Sequence, residues 1–416
     1  MNENKNVPID FKEFDVDAEL EKIRADITKP NIFLCGATGA GKSSLIRDIF
    51  NYSLENAPEI GDGAPVTRGV HRYEDDNLGV VIHDSEGYEV GEQAQKYYED
   101  NILGYVDECN SSHNINDMDS RIHETWYCVS AGTKKFLDVD ISLIRKLKDK
   151  KIPVCVILTK VDCISESNLS DLKTVIKNEF LDIEVFTYSS LPNDNPKKET
   201  LIDKGYIQSD ELLHWAYENL DESLRDGLLS SVNGALEEKH IHVMKTIIPI
   251  SATGAIAAVV SNSFIPVPFT DSMLLMGIQS AMTLKIIKSY NIAGLGVQVV
   301  GTVVGSTAVS TIGKTAANSL AKAIPGLSQA VAVANSTVAA TLTATIGFAV
   351  NEMCYRYMNL YMKSKNGEKV PPFAAYFTSG EFKEVVQKVQ EKYGDKINQI
   401  ADGLLEKAQA KLKGGK

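Results

Sequence analysis

The sequence predicts a doubly wound α/β domain followed by an all-α, hydrophobic helical domain. Three observations carry this. A glycine-rich loop, residues 36–43, lies between an apolar run, Asn31-Ile-Phe-Leu-Cys35, and an amphipathic stretch, Ser44-Leu-Ile-Arg-Asp-Ile-Phe50, an order that reads as strand, turn, helix. Two further apolar, β-branched runs, residues 78–83 and 152–158, end in polar turns, as buried strands of α/β sheets do. After about residue 240 the composition changes: residues 246–270, 289–313 and 323–351 contain no Asp, Glu, Lys or Arg.

The first element is residues 10–27, where Phe11, Phe14, Leu20, Ile23 and Ile27 approximate one face of an amphipathic helix. The loop Gly36-Ala37-Thr38-Gly39-Ala40-Gly41-Lys42-Ser43 matches G-x-x-x-x-G-K-[ST], the phosphate cradle of nucleoside triphosphatases. Its glycines let successive N–H groups turn inward, and the start of the following helix adds partial positive charge. Residues Gly36 to Ser44 are therefore expected to hold a polyphosphate. Lys42 should reach its β- and γ-phosphates and the Ser43 hydroxyl should ligate Mg²⁺.

The strand-like Leu78-Gly-Val-Val-Ile-His83 runs into Asp84-Ser85-Glu86-Gly87, which is similar to the D-x-x-G element of GTPases. That likeness implies that Asp84 holds Mg²⁺ and that the Gly87 N–H senses the γ-phosphate. Thr67 is the one threonine between Ser44 and Asp84, hence the candidate switch threonine on Mg²⁺ and the γ-phosphate. The preceding Gly61-Asp-Gly-Ala-Pro65 suits a mobile loop.

The run Ile152–Leu158 ends in Thr159-Lys160-Val161-Asp162, similar to the N/T-K-x-D motif that reads guanine. A carboxylate accepts both the N1–H and the N2–H₂ of guanine, a donor pair adenine lacks, and such charge-assisted bonds contribute about 1.5–3 kcal/mol each. Lys160 would lay its stem along the purine face, with Thr159 where Asn is more usual. Tyr188-Ser189-Ser190, after the strand-like Ile183–Thr187, resembles the base-contacting S-A-x loop.

With these elements in this order, residues 29–225 resemble the translation-factor-like class of GTPases. Gly39 in the fourth loop position is similar to the septin, chloroplast-import and immunity-related branches, alongside Era-like G domains. The resemblance implies a doubly wound P-loop GTPase domain with GTP or GDP and Mg²⁺ at the carboxyl ends of its strands, and catalytic roles for Lys42, Thr67 and Gly87. One part departs from the pattern. Where Ras-like proteins carry the water-orienting Gln, this chain has Tyr88, and a phenol cannot orient water in the same manner. Gly39 also stands where K⁺-using GTPases carry Asn. Slow basal turnover is expected, completed by an added group such as an arginine finger, which contributes about 10³–10⁵ in rate. Arg68, Arg72 or an Arg from a second subunit are the candidates; Glu86 reads as a solvated loop acid.

The formal net charge of −12 over 416 residues, without a basic stripe, argues against nucleic acid as a partner and against broad adhesion to an anionic bilayer. The cysteines, Cys35, Cys109, Cys128, Cys155, Cys163 and Cys354, lack metal-ligand spacing and read as core thiols of a reducing cytosol. His240 and His242 read as structural. Residues 107–121 are polar and unpatterned, as a surface loop is, and the polar, acidic N-terminus is unlike a secretory signal.

In the second half, residues 226–365 read as an Ala/Gly/Val-rich helical domain and 366–416 as a C-terminal amphipathic helix. Each charge-free stretch has the length to span a bilayer, but their Ala, Val, Gly, Ser and Thr content is borderline for insertion. Two readings stay open. The stretches are membrane helices packed through small residues, as Gly301-Thr-Val-Val-Gly305 allows, or the buried helices of a water-soluble bundle. Membrane contact through residues 246–351 is the preferred reading, which places the protein in the cytoplasm at the inner face of a membrane. Ile265-Pro-Val-Pro-Phe-Thr-Asp271 and Ile324-Pro-Gly-Leu-Ser328 resemble the hydrophobic helical domain of bacterial YcjF-type proteins, a likeness that speaks to architecture. From residue 378 to 413, Phe382, Val385, Val386, Val389, Tyr393, Ile397, Ile400, Leu404 and Leu405 recur at helical spacing, suited to docking on the bundle or lying on a bilayer. The functional expectation is a GTP-hydrolysing switch coupled to the helical domain. The alternatives are a non-hydrolysing GTP-binding scaffold and a dynamin-like or immunity-GTPase-like machine that forms homo-oligomers on membranes.

Overall fold

The computed structural model describes residues 16–50, 69–74, 78–88, 91–111, 121–192, 195–262, 270–292, 331–364, 370–376 and 379–414. Thr67, Arg68, the proline turn at 263–269, the G-x-x-x-G at 301–305 and residues 324–328 lie outside them. The chain divides into two compact units, one chiefly Arg24–Glu238, the other Lys239–Ser364 with the C-terminal residues and those up to Ile23.

Helix α1 (Val16–Ala25), whose residues up to Ile23 group with the other unit, leads into the first unit at strand β1 (Asn31–Gly36) and helix α2 (Lys42–Phe50). β2 (Val70–Tyr73) and β3 (Val81–Ser85) follow, then α3 (Glu92–Asn110), β4 (Ile122–Ser130), α4 (Asp138–Asp149), β5 (Val154–Thr159), α5 (Glu166–Glu179), β6 (Glu184–Thr187), α6 (Pro196–Asp203), α7 (Ser209–Asn219) and α8 (Glu222–Ser231). The sheet order is β2-β3-β1-β4-β5-β6. Only β2 is antiparallel to its neighbour; β1 pairs in parallel with both β3 and β4. The chain therefore reverses its direction of winding around β1, the place where open α/β sheets bind ligands.

Alternation along the strands feeds two cores. Ile32, Leu34, Trp126, Cys128, Cys155 and Ile157 pack with Leu45, Ile49 and Phe50 of α2 and with α7 and α8. Phe33, Cys35, Tyr127, Val129, Val156 and Leu158 pack with α3, α4 and α5 on the opposite face. Cys35, Cys128, Cys155 and Cys354 are buried, Cys109 is half-buried, and Cys163 is exposed. Residues 226–238, placed with the helical half by the sequence, group with this first unit. The reason is visible at Gly227. A Cβ there would lie 2.3 Å from the carbonyl oxygen of Gly79, and the Gly79 N–H donates to Ser231 Oγ at 2.7 Å. Two glycines thus bring α8 against the backbone leading into β3, and Leu224, Leu228 and Leu229 complete the core.

One strand residue stands apart. Glu124 on β4 is fully buried. Its Oε2 accepts from Trp126 Nε1 at 3.2 Å and its Oε1 has no partner. Burial raises its pKa well above the ordinary carboxylate range, against the smaller lowering by Trp126. With the folded pKa above the unfolded one, its stabilising contribution is full below the unfolded pKa and is lost as pH rises through the folded pKa. Glu124→Gln keeps an acceptor for Trp126 and removes the proton. It is expected to flatten the decline in stability above about pH 4.3 and to raise the neutral-pH unfolding temperature by about 2–4 °C per kcal/mol recovered. Thermal melts from pH 4 to 8 read this directly.

The second unit begins within α9 (Leu236–His242), which runs through a π turn at Val243–Ile247 into α10 (Ile248–Asn262). α11 (Thr270–Ser289), α12 (Val331–Lys363), α13 (Phe373–Tyr376) and α14 (Ser379–Gly414) complete it. Small residues let the helices approach: a Cβ on Gly347 would lie 2.7 Å from Ile248 Cγ1. From Ala339 to Asn351, α12 is buried all round except at Leu342. Asn351 ties three elements together, accepting from Tyr290 Oη at 2.7 Å and donating to the His240 carbonyl at 3.0 Å. α14 docks on this bundle through Phe382, Val385, Val389, Ile397 and Ala401, which are buried, and it passes unbroken through Gly394 and Gly403. Among the described residues one helix, Leu236–Ala258, is long and apolar enough to cross a membrane, and 44% of its apolar window is already buried within the protein.

Candidate functional site

The glycine loop leaves β1 at Gly36, where φ is +135° and an added Cβ would stand 2.1 Å from the Cys128 carbonyl oxygen. Gly39 and Gly41 also take positive φ, +71° and +89°, so the chain curls and starts α2 at Lys42. Thr38 and Gly39 are exposed, Ala37, Gly41 and Ser44 half-buried, and Ala40 buried. Lys42 is buried, and its Nζ donates to the Gly36 and Ala37 carbonyls at 3.2 and 3.3 Å. The loop thus holds its own cation at its mouth.

β3 lies beside β1 in parallel register, Leu34 against Asp84. That register brings Asp84 to the exposed Ser43, whose Oγ donates to Asp84 Oδ2 at 3.1 Å. Burial raises the Asp84 carboxyl above its ordinary pKa, opposed by Lys42, the Ser43 hydrogen bond and His71. Asp84 Oδ1 is buried without a partner. Gly87, at φ +90°, rests on the loop: a Cβ there would be 2.6 Å from Thr38 N. The Thr38 N–H donates to the Tyr88 carbonyl at 3.0 Å, and the Glu86 N–H to that of Gly69 at 2.9 Å.

The end of β5 reaches the same loop from the other side. Thr159 is buried, and its Oγ1 donates to the Ala40 carbonyl, with a longer contact to that of Val129 at 3.3 Å. Thr159 thereby braces the glycine loop from the end of the strand that Asp162 follows. Lys160 follows in the left-handed region, φ 55°, and is exposed. Asp162 Oδ1 accepts from Ser189 Oγ, and Oδ2 from Cys163 Sγ at 3.3 Å. Burial works to raise the Asp162 carboxyl, but the bonds from Ser189 and Cys163 outweigh it and hold its pKa below the ordinary value. Ser190 Oγ accepts from Arg47 of α2 at 3.4 Å, and Tyr188 Oη donates to Asp48 at 2.8 Å.

The fold thus gathers Lys42, Ser43, Asp84 and Gly87 at the ends of β1 and β3, and Asp162 with Ser189 at the ends of β5 and β6. Arg72 is paired with Glu74 at 2.6 Å, and Glu86 is exposed, 3.6 Å from His71. The sequence reading missed a phenol network under the site. Tyr98 Oη accepts from the Gly36 N–H at 3.0 Å and bonds Ser85 Oγ at 2.9 Å. Tyr88 and Tyr127 both donate to Asp140 Oδ1, at 2.6 and 2.7 Å, while Asp140 Oδ2 caps α4 through the Leu137 N–H at 2.8 Å. The signal available in the sequence was an acidic residue three positions after Leu137 at a helix start, which does not announce two phenols.

A winding reversal at β1, a glycine loop closing on Lys42 and an aspartate at the end of the adjacent strand together define a P-loop GTPase fold. Residues 27–212 match the septin family model. The chain is similar to Septin-8-B of Xenopus laevis, 27% identical over 186 residues, which are 41% of this chain and 42% of that protein. It is 28% identical to Septin-2 of Drosophila melanogaster over 187 residues, 41% and 43% of the two chains. With Septin-11 of Homo sapiens it shares 28% identity over 181 residues, 39% and 41%. The chain therefore spans less than half the length of these curated relatives; the first unit has a P-loop GTPase fold, and a helical region follows it in the chain.

Proposed function

We propose that this protein binds GTP through the first unit, hydrolyses it slowly and acts as a switch on its helical unit. The observation that supports this most is the convergence of Lys42, Ser43, Asp84 and Gly87 around one loop, with Asp162 held ionised beside it. Lys42 would exchange its carbonyl partners for phosphate oxygens. The Gly87 N–H would meet the third phosphate, joined by Thr67. Asp162 and Ser189 would read guanine, with Lys160 on the purine face.

Ser43 and Asp84 fit a divalent cation: two hard oxygen donors touch, and one carboxylate oxygen is buried and unpartnered, as Mg²⁺ prefers. Mg²⁺ held there would neutralise charge on the β- and γ-phosphates. No water-orienting group is on hand from Tyr88, whose hydroxyl is committed to Asp140, which supports slow turnover by the isolated chain.

The helical unit has two readings. The all-round burial of residues 339–351, Leu342 excepted, favours a self-packed bundle. The apolar helix Leu236–Ala258 keeps membrane contact as the second reading, as for the YcjF-type likeness. One set of measurements tests these points. The protein is expected to retain labelled GTP in magnesium buffer and release it on chelation, and to convert bound GTP to GDP in a single turnover. Failure to retain GTP overturns the proposal. Intact GTP leaves a non-hydrolysing scaffold. Turnover that rises with liposomes and protein concentration supports an oligomerising membrane machine, and a flat response to both supports the bundle.

A further inference from the structure

Tyr88 is the residue after the D-x-x-G turn, and its two ends do different things. Its phenol reaches 52 residues along the chain to Asp140, which is 2% exposed and also accepts from Tyr127 and from the Leu137 N–H. Its carbonyl accepts the Thr38 N–H of the phosphate loop. Between these two anchors Gly87 is pressed onto Ala37 and Thr38, with no room for a Cβ. One amide of the anion-binding loop is therefore occupied by protein, and the occupant is held in place by a buried carboxylate on α4.

From this geometry we infer that Tyr88 and Asp140 form a latch that sets the preference between the di- and triphosphate. The inference rests on the GTP reading above. A loop carrying a diphosphate can leave Thr38 bonded to the Tyr88 carbonyl. A third phosphate adds negative charge beside that carbonyl oxygen and requires the Gly87 N–H to turn toward it, so the turn must lift from Thr38. Lifting it stretches the bond between the Tyr88 phenol and Asp140. A phenol donating to a carboxylate is among the stronger hydrogen bonds of a protein interior, so the latched turn disfavours the triphosphate. Tyr88 and Asp140 are positioning residues here, since neither reaches the phosphates.

The test compares affinities for a non-hydrolysable GTP analogue and for GDP in the full chain. Tyr88→Phe deletes the phenolic hydroxyl and keeps the ring. It is expected to raise the ratio of analogue to GDP affinity about five- to tenfold, mainly by tightening the analogue. Tyr127→Phe removes a bond to the same carboxylate from β4, outside the turn, and is expected to lower the unfolding temperature while leaving the ratio unchanged. In the nucleotide-free protein, exchange of the Thr38 amide should quicken in Tyr88→Phe and not in Tyr127→Phe. An unchanged or lowered ratio in Tyr88→Phe overturns the latch even when the wild type binds both nucleotides. So does an equal rise in Tyr127→Phe. A wild type that retains neither nucleotide overturns the GTP reading and the latch with it.

Discussion

Lys42→Ala is expected to lower affinity for GTP and GDP by at least about a hundredfold, two charge-assisted bonds to phosphate contributing about 1.5–3 kcal/mol each. The structure explains why the loss is not repaired. Lys42 is buried, and its ammonium is held between the Gly36 and Ala37 carbonyls. Removing it leaves two carbonyl oxygens facing an incoming polyanion, so the loop turns from attractive to repulsive. Isothermal titration with GDP, beside a thermal melt showing a folded chain, reads the effect. Retained affinity would place the phosphate elsewhere.

Asp162→Asn is expected to weaken GTP about a hundredfold and to admit xanthosine triphosphate with a comparable gain. In the proposed site the carboxylate would accept from two donors of guanine. An amide presents one acceptor and one donor, which suits the 2-oxo group of xanthine. The site is already set for an acceptor: Ser189 and Cys163 both donate to Asp162 and hold it ionised. Asn would satisfy only one of them, so part of the loss falls on the free protein. Competition between the two nucleotides in wild type and variant separates the contributions. Undiminished GTP affinity would remove Asp162 from base reading.

Much of the first unit was legible because its motifs fall where a strand stops. Apolar runs that end abruptly in Gly36, Asp84 and Thr159 announce both the strand and the carboxyl end where chemistry gathers. Thr159 in place of Asn found its explanation only in space, since its bond to Ala40 spans 119 residues. Tyr88 was legible as a departure from the Ras-like pattern but not as a tether, because the carboxylate it meets belongs to a helix whose turn toward the sheet depends on packing. The extent of the first unit was hidden for a similar reason. The Leu224, Leu228 and Leu229 pattern announces a helix, while the seat for that helix is made by Gly79, a residue with no side chain to advertise it. In the second unit, the small residues of α12 were equally compatible with lipid and with neighbouring helices, since both environments are apolar; burial of Phe348 and Asn351 among helices came only with the tertiary contacts.

The seat at Gly79 and Gly227 has a mechanical corollary. β3 carries Asp84 at one end, and at its other end the backbone of Gly79 meets that of Gly227 on α8, with the short Ser230 and Ser231 side chains beside them. Long side chains ordinarily cushion small shifts between packed segments, and at this junction the two backbones meet directly. An axial nudge at Asp84 would therefore be expected to arrive at α8 with little damping, as through a push-rod, and α8 is the last helix before the polypeptide enters the α9–α10 segment.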